Sequence, residues 1–289
     1  MPRVLSRTPS IFAPFRRLQQ LMLAALLLAG SGSALAQALP VQVQVSGNTA
    51  TAQIGVLGQP VADLTLNFDD ASGLSASSLG ISAKLVNLNN AALLARLPDL
   101  QLTQLDSALP LLITVEPPGN GGLSFNRTVR VEVHTHALSY SAGSAYRLFK
   151  APLLGPFRDI SDEIAPGSVR ARGTTGGFSQ FLVLLDLRDT GDVIAAKFDW
   201  LRDRVDALPV GVRPGYTASL DAAEAAVASE NFATAIAELD TLRANAASQA
   251  GGALTQQWQA GGSNNQAGDL IAGAATLKFS IAYLRDYGH

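Results

Sequence analysis

The chain has no cysteine among its 289 residues. Disulfide staples, thiol nucleophiles and cysteine-based zinc sites are therefore excluded together. A lipid-modified cysteine is excluded as well. Lysine is scarce, with only Lys84, Lys150, Lys197 and Lys278, and the formal net charge is -2. Such a chain offers no basic stripe, so no nucleic-acid partner is expected. Aromatic residues make up 6% of the sequence, too few to suggest the aromatic-lined groove of a glycan-cleaving enzyme. No Gly-x-Ser-x-Gly elbow occurs, and no Asp-x-Asp-x-Asp-Gly loop marks a calcium site. Nothing in the motifs implies a cofactor.

The first residues are biased in another way. Arg3, Arg7, Arg16 and Arg17 precede an apolar stretch from Leu18 to Gly30. A small-residue tract ending in Ala34-Leu35-Ala36 follows. That order predicts a signal peptide over residues 1–36. The run from Leu21 to Ala29 is too short for the ~20 residues that span a bilayer. No later apolar run reaches that length, so no transmembrane segment is expected after cleavage. The expected location is the periplasm or the medium.

From Val41 to about Arg188 the apolar residues recur every second position. Val41-Gln-Val-Gln-Val45, Leu64-Thr-Leu-Asn-Phe68 and Val129-Arg-Val-Glu-Val133 alternate cleanly. Alternation buries one face and wets the other, as in antiparallel strands. Turn residues such as Ser46-Gly47-Asn48 and Pro117 to Gly122 separate the runs. Phe178 to Leu187 is nearly all apolar and predicts a central strand covered on both faces. Asn89 to Asp106 reads as a short helical or irregular crossover.

From Asp192 the period becomes about 3.6. Four stripes predict four helices: Ile194 to Leu208, Tyr216 to Val227, Phe232 to Ala246, and Ala267 to Leu284. Ser263 and Gln266 stand at capping-box spacing before the last. The predicted architecture is multidomain α+β. An antiparallel β-sandwich over 37–190 is followed by a C-terminal α-helical bundle over 191–289.

The helical third, on Leu201, Val205, Leu220 to Val227, Asn231 to Leu239 and Ala267 to Leu277, resembles the FIMAH domain. That resemblance implies a non-catalytic attachment module. The motif that names that family is missing; Leu239-Asp-Thr-Leu-Arg243 stands in its place. The whole chain resembles an uncharacterised family of proteobacterial exported proteins. Phe157 to Ser161, Gly167 to Gly173 and Phe178 to Val183 carry that likeness, which implies export.

One constellation points to chemistry. Glu132, His134 and His136 share the wet face of one strand, with neighbouring Cα atoms about 7 Å apart. Two imidazoles and a carboxylate on one face suit a divalent transition metal. The plainer reading is that Val129, Val131 and Val133 face the core and the trio faces water. Acids at Asp69-Asp70, Asp159 to Glu163 and Asp186 to Asp192 suit turns and caps, with Asp189 and Asp192 at a helix start. Tyr140, Tyr146 and Phe149 suit either sugar contact or the core. The expectation is an exported, non-catalytic binding or attachment module for an unknown protein or glycan partner at the cell envelope. A glycan-active or other hydrolase with a spatial carboxylate pair is the first alternative, and a metal-binding envelope factor the second.

Overall fold

The alternating runs form two seven-stranded sheets. The computed structural model describes residues 37–56, 59–262 and 264–288. In chain order the strands are β1 (Gln37–Leu39), β2 (Val41–Ser46), β3 (Thr49–Val56), β4 (Gln59–Ser72), β5 (Ile81–Leu85), β6 (Thr103–Leu105) and β7 (Leu111–Val115). They continue as β8 (Ser124–Ser139), β9 (Tyr146–Ala151), β10 (Arg158–Asp159), β11 (Ser161–Ala165), β12 (Ser168–Thr175), β13 (Gln180–Asp186) and β14 (Gln257–Gln259). The first sheet has the order β1-β5-β7-β13-β9-β10, with β6 beside β13. The second has the order β11-β12-β8-β4-β3-β2, with β14 beside β8. All the ladders are antiparallel.

The inward face of the second sheet is the apolar half of each alternating run. Ile54, Leu64, Leu66, Val129, Val131 and Ala171 are fully buried. The strand β13 is buried on both sides, as its unbroken apolar run predicts. Leu182 and Leu184 pack with Leu93 and Leu97 of the 89–106 crossover. That crossover holds a single helical turn, Ala91–Leu94, capped by the Asn90 side chain. The chain passes from first sheet to second between β10 and β11, over the buried Ile160. Such corners are where strands change sheets.

After the one-turn helices α1 (Ala76–Leu79) and α2 (Ala91–Leu94) come α3 (Thr190–Asp206), α4 (Arg213–Ala228), α5 (Phe232–Gln249) and α6 (Gln266–Tyr287). The change of period near Asp192 falls where β13 ends and α3 begins. Asp189 caps α3 through the Gly191 amide at 2.7 Å. The stripes of the four helices share an apolar cluster that includes Phe198, Leu201, Leu220, Leu239 and Leu277.

The predicted arrangement, a β-sandwich followed by a separate helical bundle, is corrected by three contacts. First, α6 is buried on more than one face. Leu270, Leu277 and Ile281 meet the other helices, while Gly268, Thr276, Ser280 and Tyr283 are buried too. A bundle helix with one apolar stripe would leave an opposite face wet. Second, the Asn265 side chain caps α6 at Gly268 (3.0 Å) and also donates to the carbonyls of Arg127 (2.6 Å) and Gly176 (2.8 Å). Gly268 itself lies so close to the Arg127 carbonyl that a Cβ there would collide with it. Third, the Gly-rich joint holds β14, which adds an edge to the second sheet by pairing Trp258 with Phe125. The described residues accordingly form one compact unit. The predicted cap residue Ser263 and the predicted signal peptide lie outside the described residues.

Candidate metal centre

The strand β8 runs through the middle of the second sheet, between β4 and β12. Its valines fill the interior, so Arg130, Glu132, His134 and His136 stand on the outer face. This follows from the period of two alone. What the sequence conceals is the register with strands far away in the chain. Asp63 of β4 lies directly opposite His134, and Arg170 of β12 lies opposite it on the other side. His136 sits on the diagonal from Asp63, within reach of long side chains.

Three groups converge as a result. The His136 Nε2 is 2.9 Å from Asp63 Oδ2, and the His134 Nδ1 is 3.7 Å from the same oxygen. Their ligand atoms all lie within 4.8 Å of one another. The two imidazole rings stand 4.6 Å apart, tilted by 58°. The far nitrogen of His134, Nε2, meets the Ser168 hydroxyl at 3.1 Å. That contact fixes the ring, and it leaves Nδ1 aimed at the shared point. An outer partner on the non-ligating nitrogen is the usual support for a metal-binding histidine. All three side chains are partly exposed, at 18%, 28% and 35% for His134, His136 and Asp63. An ion can therefore enter from solvent. Burial, Arg170 and His136 lower the His134 pKa, against the opposing pull of Asp63 and Glu132. A lowered value keeps the imidazole neutral at pH 7, the form that ligates.

Glu132, the carboxylate expected from the strand pattern, is not part of this group. Its carboxylate takes Arg170 at 3.0 Å on one oxygen and Arg172 on the other. Arg172 continues to Glu163 at 2.6 Å, and Glu163 to Arg130 at 2.6 Å. Burial raises the Glu132 carboxyl, but the hydrogen bonds and charges of Arg172 and Arg170 outweigh it and hold it low. A carboxylate whose two oxygens are each held by a guanidinium is a poor ligand. Asp63 takes its place because β4, rather than β8 itself, supplies the neighbour. Asp63 directly precedes the run Leu64-Thr-Leu-Asn-Phe68 after Ala62, so its position on the wet face was readable. Its pairing with His134 was not.

The remaining candidates are engaged elsewhere. Asp69 bonds the Thr128 amide and hydroxyl, and Asp70 the Asn126 amide. Asp186 forms a two-pronged pair with Arg188. Asp159 pairs with Lys197 at 2.7 Å. Phe149 is fully buried, and Tyr146 donates to Asp106 at 2.5 Å. These two belong to the packing of the first sheet.

The family of unknown function DUF6689 matches residues 24–285. The chain belongs to that family. One family thus spans the sheets and the helices together, in keeping with their joint packing. No curated protein and no solved structure gives a match. Among the described residues no helix is long and apolar enough to cross a membrane.

Proposed function

We propose that this DUF6689 member is an exported, non-catalytic envelope or extracellular protein. Its second sheet would bind a divalent transition metal ion through Asp63, His134 and His136. The observation that carries the reading is the convergence of two imidazole nitrogens and one carboxylate oxygen within 4.8 Å. Zinc takes nitrogen at about 2.0–2.1 Å and oxygen at about 2.0–2.2 Å. An ion would draw the three side chains together to such a point and would keep further positions for water or a partner's ligand. The basic N-terminal segment before a short apolar run supports export. The resemblance of the helical third to an attachment module supports a binding role rather than turnover.

Calorimetric titration of chelator-treated protein with zinc and copper tests the reading. One ion per chain is expected, with weaker binding as the pH falls through the imidazole range, because protons compete for the ligands. His136→Ala and Asp63→Ala should abolish it, while Glu132→Gln should leave it unchanged. Absence of heat with both metals ends the proposal.

A further inference from the structure

A second site, independent of the metal reading, lies where β9 and β10 approach the start of α6. Lys150 on β9 stands directly opposite Arg158 on β10. Like charges in that position repel. Arg204 of α3 joins them from above. The guanidiniums of Arg158 and Arg204 lie 3.9 and 5.3 Å from the centroid of the Trp200 ring. Among the described residues, none of the three cations has a carboxylate oxygen within the 4.0 Å of a salt bridge. The Lys150 ammonium donates to the Thr175 hydroxyl at 2.6 Å.

The local acids do not offset this charge. Asp159 is committed to Lys197 at 2.7 Å. Asp269, in the first turn of α6, acts on Lys150 and Arg158 only at longer range. Burial pushes the Lys150 ammonium down to about 7 and the Arg158 guanidinium down to about 10. The fold therefore holds two poorly solvated cations, Lys150 and Arg158, beside the exposed Arg204 and against one carboxylate, which is costly unless a further anion is present.

There is room for one. A cavity of about 390 Å³ is lined by Lys150, Arg204, Trp258, Asn265, Gln266 and Asp269. The first amides of α6 are already taken, by Thr255 for Ala267 and by Asn265 for Gly268 and Asp269. Side chains, not the helix end, must hold a ligand here. A bound anion would hold the Lys150 ammonium fully charged, and three positive charges against one negative then leave a deficit of two, which matches a phosphate monoester at about -1.5 to -2 near pH 7. Trp258 lines the same cavity, an aromatic wall for an organic substituent of the ligand.

We propose that this cavity binds a small phosphate-class oxyanion, gripped by Lys150 and Arg204 with Arg158 behind them and opposed by Asp269. The chain's two tryptophans, Trp200 and Trp258, flank the cations, so intrinsic fluorescence reads the site directly. The purified protein is titrated with inorganic phosphate, glycerol 3-phosphate and, as a monocarboxylate control, acetate at matched ionic strength. The expected result is a saturable change with the phosphates and none with acetate. Tighter binding of glycerol 3-phosphate assigns the site to a monoester, and tighter binding of phosphate to the free ion. Lys150→Met should weaken binding by about tenfold or more, the loss of one charge-assisted hydrogen bond. Arg204→Ala, on an exposed helix position, should weaken it too. Asp269→Asn removes the repulsive charge and should tighten it several-fold. No saturation with either phosphate, an equal response to acetate, or unchanged affinity in all three variants overturns the proposal.

Discussion

The outer face of the second sheet and the seam beneath α3 and α6 use the same residue types in opposite surroundings. On the sheet face, Glu132, Arg172 and Glu163 form a ladder in which side chains remain 16%, 26% and 42% exposed. In the seam, Asp159 is 2% exposed and Lys197 10%. Water screens the first arrangement and is excluded from the second. An ion pair on the face is therefore worth little, whereas a broken pair in the seam strands a charge in a dry site. The face can also release and accept ions, since its charges are already solvated. In the seam, every imbalance must be met by a specific partner.

The contrast is broken or sharpened by four experiments. The largest effect is expected from Lys197→Met, which leaves Asp159 buried and also removes the bonds to the Thr276 carbonyl and Ser280. A loss of about 3–5 kcal/mol in urea unfolding is expected. A double variant that also replaces Asp159 with Leu should recover much of it, since an apolar pair carries no desolvation cost.

The second effect is on pH. Burial takes Lys150 from its ordinary 10.5 to about 7 in the fold, with Arg158 adding to the fall and Asp269 opposing it. Between those values the unfolded chain holds a proton that the folded chain has released. Stability should therefore rise as the pH climbs from about 7 towards 10.5, by at most ~1.4 kcal/mol per pH unit. Urea midpoints across that range should flatten in Lys150→Met.

Third comes Asn265→Ala, which removes the α6 cap and its two bonds to the sheet. A cost of about 1–2 kcal/mol is expected. Hydrogen exchange should quicken at the first turn of α6, where the Gly268 amide loses its acceptor. The smallest effect is that of Glu132→Gln on the partly exposed ladder, about 1 kcal/mol. If Glu132→Gln cost as much as Lys197→Met, the distinction between the two regions would collapse.

The same contrast explains what was legible in the sequence. Period is a local property. The alternation at Val41 to Val45 and Val129 to Val133 predicted β2 and β8, and the leucine and alanine steps after Asp192 predicted α3 to α6. Both follow from which face of each element is buried. Register and docking are not local. Asp63 and His134 are 71 positions apart and meet because β4 and β8 pair. Lys197 and Asp159 meet because α3 lies against the first sheet. The short strands β1, β6, β10 and β14 have too few residues to show any period. The missed docking of α6 had one readable trace. Gly268 is buried outside the apolar stripe, and the lack of a side chain there lets α6 approach the Arg127 carbonyl of β8.

The central claim is that Asp63, His134 and His136 share one ion. A zinc-soaked crystal, with data collected on both sides of the zinc absorption edge, tests it most directly. The account predicts an anomalous peak about 2.0–2.2 Å from Asp63 Oδ2, His134 Nδ1 and His136 Nε2, with Glu132 still held by its arginines. A peak centred on Glu132, or none between β4 and β8, would contradict it.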